Sequence, residues 1–252
     1  MGVILEKEHG VARIIIDRPP VNVLDIATMS DINSALEEVS ADLSISVVVI
    51  EGKGKHFSAG VDVKDHTADK VAEMVRVFHK MFHLLIDLPQ PTVAVIKGST
   101  LGGGCELALF CDMVIASEST KLGQPEIQVG AFPPIAAFII PRIIGRKKAM
   151  ELILTGGIVD AHEAYRLGLV NQVVPDENFE EASNKLIKKL AGLSGIVVKL
   201  TKRAIYQGLD NDFKQVLSKI EDIYLNELMK TADAEEGLAA FLEKRTPTWQ
   251  NK

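Results

Sequence analysis

An α/β fold with an all-helical C-terminal part is what the sequence predicts, and three observations predict it. Short β-branched runs recur at 11–17 (VARIIID), 46–50 (SVVVI), 91–96 (PTVAVI) and 112–116 (DMVIA). Stretches between them carry apolar residues at spacings of three and four, the period of an amphipathic helix, and such alternation implies layers of strand and helix. From about residue 177 the strand signals stop, and four successive stretches read as helices.

Taken in order, the run at 11–17 is a strand, and Ile26, Met29, Ile32, Leu36, Val39 and Leu43 mark one face of a helix that leads to the strand at 46–50. A helix over about 69–86 precedes the strand at 91–96. Three glycines, Gly102 to Gly104, open a short helix through Phe110, and the strand at 112–116 follows. Helices are expected near 134–143, 146–155 and 161–167. The helical remainder comprises FEEASNKLIKKLAGL, GIVVKLTKRAIYQGL, DFKQVLSKIEDIYLNELMK and ADAEEGLAAFLEKR, whose apolar stripes must pack on the core or on a partner subunit.

The 252 residues, 47% of them hydrophobic, suffice for one large core or a core with a small accessory region. A formal charge of -6 gives no general attraction for nucleic acid or an anionic membrane. No run approaches the roughly 18 apolar residues of a membrane span, and MGVILEKEHG has neither a basic n-region nor an adequate apolar one. Met-Gly opens the chain, but Glu6 stands where a myristoylation signal wants Ser or Thr. A soluble cytoplasmic protein is expected, with Cys105 and Cys111 as two buried free thiols, because six residues apart on one helix they face different ways.

Two stretches share one plan. VVVIEGKGKHFSAGVD and VAVIKGSTLGGGCEL each run from a buried strand through a charged residue and Gly into a short loop, then into a glycine turn that opens the next element. Glycine lets backbone approach a ligand closely, and the first amides of a helix are unpaired donors at the positive end of its dipole. Two such turns face to face can hold one oxyanion, although either alone reads as a tight turn. LGGGCEL fits neither G-x-G-x-x-G nor a phosphate loop, and no G-x-S-x-G elbow exists. The histidines lack metal-ligand spacing; His79 and His83, four apart on a helix, read as structural or surface residues, and no metal site is expected.

Glu106 is a lone carboxylate in an apolar helix. Glu126, in the loop KLGQPEIQVGAF, is an ordinary loop acid by itself; the two together are the kind of pair that split acid and base work requires.

HFSAGVDVKD, LGGGCELALFCDMVIA and KLGQPEIQVGAFP, in this order and spacing, resemble the signature blocks of the crotonase (enoyl-CoA hydratase) superfamily. The likeness runs from IDRPPVNVLD through AYRLGLVNQVVP to AFLEKRTPTW. It implies a spiral of ββα units over 1–194 that binds acyl-CoA, and a helical region over 195–252 that assembles a homotrimer or a dimer of trimers. It further implies an acyl-CoA thioester substrate, no separate cofactor, and a thioester enolate held by the backbone amides of Val61 and Gly103. Hydratases of the family carry both acids, so Glu106 and Glu126 imply hydration, with Glu126 the main proton donor and Glu106 orienting or deprotonating the water. Ala59, Phe241 and Lys244 match CoA-binding positions, the last two reaching a neighbouring subunit's nucleotide.

Departures from the family pattern shape the substrate. Where ordinary members have a glycine-rich turn after the second acid, this chain reads GAFPPIAAFIIPR, so Phe132, Pro134 and Ile135 are expected in a more apolar acyl pocket. Asp65 and His66 in VDVKDH are expected there too, a solvated loop being the competing reading. PPVNVLD, VDVKDH and GQPEIQVGAFPP resemble the branch that hydrates a cyclic dienoyl-CoA in anaerobic benzoyl-CoA breakdown. Competing readings are a straight-chain hydratase, a double-bond isomerase, which usually lacks one acid, and a non-catalytic scaffold, which predicts eroded acids or a basic surface.

Overall fold

The computed structural model describes residues 2–208 and 221–248. A six-stranded sheet runs in the order β1 (Val3–Glu8), β2 (Val11–Ile16), β3 (Val47–Gly52), β4 (Thr92–Ile96), β6 (Met113–Ser117) and β9 (Gln172–Val174). Only β1 with β2 is antiparallel; the other neighbours are parallel. A second sheet joins β5 (Ser99–Leu101), β7 (Lys121–Gly123) and β8 (Ile158–Asp160).

Each of β4 and β6 is followed by a short strand of the second sheet, β5 and β7, and Ser58 after β3 bridges Thr100 of β5. Successive turns of chain therefore stack in two sheets at once. Their loops leave the same edge of the molecule, and the glycine turns lie there.

Period-two alternation explains how the parallel strands fill both sides. Val48, Ile50, Ala94 and Ile96 enter the larger core with Met29 and Leu36 of α1 (Ile26–Ala41), Phe82 of α2 (Val71–Asp87) and Leu107 of α3 (Gly103–Phe110). Val47, Val49, Val93, Val95 and Ile115 enter a smaller one with Phe179 and Ile187 of α7 (Phe179–Ala191). The helices expected after the third block are α4 (Pro134–Ile144), α5 (Arg146–Thr155) and α6 (Ala161–Leu167).

Leu43 departs from its expected stripe. Asp42 adopts extended backbone and caps α1, so Leu43 falls beyond the helix and is 88% exposed. Strand β1 gave no separate signal, although His9 (φ 50°) and Gly10 (φ 78°) form the tight reversal that pairs it with β2. Strands β5, β7, β8 and β9 are three residues each, too short to show periodicity. Cys105 and Cys111 are buried and free, and burial pushes the Cys111 thiol up to about 12.

The C-terminal part includes α8 (Gly195–Gly208) and α9 (Ala232–Glu243). The helix expected over 212–230 lies partly outside the described residues; its described end is a π-helical turn, Ile223–Glu227, and a 3-10 turn, Leu228–Lys230. Helix α9 packs on the chain's own Glu126 turn, where Gly237 lets it approach the Val129 carbonyl without a Cβ between them. No described helix is long and apolar enough to cross a membrane.

Candidate active site

The two glycine turns meet backbone to backbone. Gly60 (φ +102°) and Gly102 (φ +51°) need dihedrals that side chains disfavour, and a Cβ on Gly60 would lie 3.0 Å from the Leu101 carbonyl oxygen and 3.4 Å from the Gly103 nitrogen. The first turn is fixed from behind: Ser58 Oγ donates to the Asn22 carbonyl (2.7 Å) and accepts from Gly60 N–H (3.1 Å), while Asn22 Nδ2 donates to the Lys53 and His56 carbonyls.

Both Val61 and Gly103 line a cleft of about 340 Å³. Gly103 is the first residue of α3, so its N–H has no intrahelical partner. Leu24 takes its two bonds from Gly60 O and Asp62 N, which turns the intervening Val61 amide away. Among the described residues neither amide donates to a protein acceptor. Two free amides at one cleft wall are a site for a developing oxyanion.

Beside them lie the carboxylates, Glu106 one turn along α3 from Gly103 and Glu126 against Gly102, where a Cβ would meet its Oε1 at 2.8 Å. Glu106 is 2% exposed on α3 and accepts from the Ala136 N–H at 2.7 Å, with the Ile135 amide beside it. The N-terminus of α4, begun by Pro134, thus grips one carboxylate. Glu126 sits half-buried on the 3-10 turn Pro125–Val129 and also lines the cleft. Turned with its NH2 toward Glu126, the buried Gln124 amide donates to both carboxylate oxygens at 3.2 Å.

Burial pushes the Glu106 carboxyl up to about 8, and the charge of Glu126 adds to the rise against the α4 amides. Glu126 is pushed up to about 7, again by burial. Two close acids in an apolar site cannot both ionise easily, so the pair holds a proton near neutrality.

Apolar walls complete the cleft. Phe132 and Pro134 line it, as does His66, whose burial holds its imidazole below the usual value. Phe78 closes against the oxyanion turn, 3.1 Å from where a Gly103 Cβ would sit.

Two expectations are corrected. Asp65 is outside the cleft lining: it accepts from Ile26 N–H at 3.0 Å and pairs with Lys70 at 3.5 Å, fixing the start of α1. Ile135 is fully buried in the core rather than lining the cleft, and it serves Glu106 through its backbone. His79, read as a structural or surface residue, is buried: it is 1% exposed, pairs with Glu221 and lines the cleft.

Ala59 and Phe241 both line the cleft, and Phe241 does so within its own chain, because α9 folds back over the Glu126 turn. Lys244 is exposed at the left-handed cap of α9, outside the lining. Sequence reasoning missed Tyr224, which is 3% exposed, lines the cleft and packs edge-on against Phe132 with centroids 5.3 Å apart. Burial, with the charges of Glu106 and Glu126, raises its phenol. Nothing in its local pattern separates it from a core tyrosine.

A cleft lined by two free amides and two carboxylates defines an enzyme built to polarise a carbonyl and move protons beside it. A family profile described as enoyl-CoA hydratase/isomerase matches residues 6–252. The cyclohexa-1,5-dienecarbonyl-CoA hydratase of Thauera aromatica is 34% identical over 248 residues, covering 98% of this chain and 96% of that protein. The crotonyl-CoA hydratase of Syntrophomonas wolfei is 35% identical over 257 residues, covering 100% and 98%. The crystal structure of an enoyl-CoA hydratase from Mycobacterium avium subsp. paratuberculosis superposes with a TM-score of 0.91 at 30% identity, covering 100% of this chain and 99% of that one. The chain belongs to the enoyl-CoA hydratase/isomerase family, with the crotonase fold, and is an enzyme of the hydro-lyase type.

Proposed function

We propose that the chain adds water across the double bond of an α,β-unsaturated acyl-CoA thioester, and that the acyl group is the cyclic diene of cyclohexa-1,5-diene-1-carbonyl-CoA. The pair Glu106 and Glu126, both raised by burial and both lining the cleft that Val61 and Gly103 close, carries the reading. The thioester oxygen accepts from the Val61 and Gly103 amides. Each such donor contributes about 2.7–4 kcal/mol to a transition state in which that oxygen becomes negative.

Water sits between the carboxylates. Glu106, held by the Ala136 amide, orients it and takes its proton as the oxygen bonds the β-carbon. The proton that the pair holds reaches the enolate of an ordinary acyl chain through Glu126, the main donor. CoA is bound as part of the substrate, with Ala59 and Phe241 at the cleft and Lys244 as a point charge for phosphate.

The cyclic acyl group is supported by the wall of Phe78, Phe132, Pro134 and Tyr224, which offers flat apolar faces, and by the name of the Thauera relative. Attack at the β-carbon with protonation at the far end of the dienolate gives 6-hydroxycyclohex-1-ene-1-carbonyl-CoA, a step of anaerobic benzoyl-CoA breakdown. A straight-chain substrate is the second reading, favoured by the 35% identity to a crotonyl-CoA hydratase. A cytoplasmic trimer or dimer of trimers, built through residues 195–252, belongs to the same proposal. Purified protein offered the cyclic diene and crotonyl-CoA side by side tests it. Preference for the diene, abolished in Glu126→Gln, is expected; preference for crotonyl-CoA selects the second reading.

A further inference from the structure

His79 and Glu221 form a pair that the hydration chemistry above does not use. His79 Nδ1 lies 2.7 Å from Glu221 Oε1, and a carboxylate only accepts, so Nδ1 carries a proton. The ring's other nitrogen, Nε2, is buried and has no hydrogen-bond partner among the described residues. A buried polar group left unmatched is costly, so an orphan of this kind on a residue that lines the cleft calls for a ligand. Its neighbour Phe78 abuts the oxyanion turn, which puts this level of α2 beside the thioester position.

One turn of chain links His79 to the cleft wall that holds Phe132. Glu221 holds His79, and three residues on Tyr224 packs on Phe132 near the carboxylates. The chemistry of a ring-shaped dienoyl thioester needs two places that handle protons. Water adds to the β-carbon, and the proton goes to the ring carbon opposite it, at the end of the extended dienolate. Carboxylates gripping water at one edge of a ring are badly placed for the carbon across from it.

We propose that His79 is a catalytic acid for this opposite carbon, with Glu221 as its positioning residue; the proposal rests on the cyclic-diene reading above. The water oxygen bonds the β-carbon and its proton passes to the glutamate pair. The electron pair of the β-carbon's double bond moves into the dienolate, whose far carbon takes the proton from Nε2. Nε2 of the resulting neutral imidazole regains a proton from solvent that enters the cleft as product leaves, while Nδ1 keeps its own against Glu221 and the glutamate pair returns its proton to solvent. The sum is one water added. During the protonated phase the Glu221 carboxylate balances the imidazolium charge.

The test compares wild type, His79→Gln and Glu221→Gln in D2O with cyclohexa-1,5-diene-1-carbonyl-CoA and crotonyl-CoA, following rate and the position of deuterium. Wild type is expected to place deuterium at the carbon opposite the hydroxyl. His79→Gln is expected to lose about 100-fold or more on the diene and less than about tenfold on crotonyl-CoA, with residual product deuterated at the α-carbon. Glu221→Gln shifts the deuterium in the same direction to a smaller extent, which a merely structural role would not do. Opposite-carbon deuteration at near wild-type rate in His79→Gln overturns the proposal and leaves the substrate reading standing. Equal losses on both substrates assign His79 to structure and overturn it also. Wild type that hydrates crotonyl-CoA and ignores the diene overturns both readings.

Discussion

Glu106 and Asp112 lie six residues apart, at either end of α3, and both carry a carboxyl group into the interior. Asp112 is surrounded by donors: Lys202 Nζ at 2.8 Å, Thr92 N–H at 2.7 Å, Thr92 Oγ1 at 2.9 Å and Tyr206 hydroxyl at 2.7 Å. Glu106 has only backbone amides and shares its cleft with a second carboxylate, Glu126. The first carboxylate is neutralised and joins α8 to the core. The second is left short of positive charge, and its proton affinity rises instead. Burial alone does not mark a functional acid; burial with an unmatched charge opposite a cavity does.

The largest effect that separates the two is on turnover. Glu126→Gln is expected to lower kcat by about 10²–10⁴-fold with little change in KM, measured on any enoyl-CoA the enzyme accepts. Glu106→Gln should fall in the same range, since water then loses its base. Asp112→Asn acts on folding instead: it strands the buried Lys202 ammonium and should cost about 3–5 kcal/mol in chemical denaturation, while kcat per folded molecule stays near wild type. A collapse of kcat in soluble, folded Asp112→Asn would break the comparison.

Stability against pH sharpens it further. Both glutamates hold protons more tightly folded than unfolded, rising from the ordinary 4.5 to about 8 and about 7. Across that window the native state binds more protons than the unfolded chain, so stability falls as pH rises. Glu106→Gln, which cannot ionise, should therefore flatten this decline and melt above wild type at alkaline pH. Activity, which needs one acid protonated and one ionised, should give a bell-shaped profile centred near neutrality. The smallest effect is expected at Gln124, whose amide favours the ionised form of Glu126. Gln124→Leu should move the alkaline limb of that profile upward and lower kcat about tenfold, one charge-assisted hydrogen bond being worth roughly 1.5–3 kcal/mol.

Much of this was legible in the sequence because it is local. The β-branched runs became β2, β3, β4 and β6, and the twin glycine turns signalled the paired amides through a repeated plan. Glu106 stood out because a charge in an apolar helix is rare. What was hidden depends on distant chain. Asp65 looked like a pocket residue until its carboxylate was found on the Ile26 amide, 39 positions away. Ile135 reads as a pocket residue in one dimension and contributes its backbone in three. His79 joined Glu221 across 142 positions, and Tyr224 entered the cleft from the C-terminal part, where no spacing rule links either to the carboxylates.

The claim that Glu106 and Glu126 hold a proton between them at neutral pH is tested most directly by infrared difference spectroscopy of the free enzyme. A protonated carboxyl band is expected at neutral pH that disappears as the pH is raised past about 8 and is absent from the Glu106→Gln/Glu126→Gln double variant. A wild-type spectrum with no such band at neutral pH, both carboxylates being ionised, would contradict it.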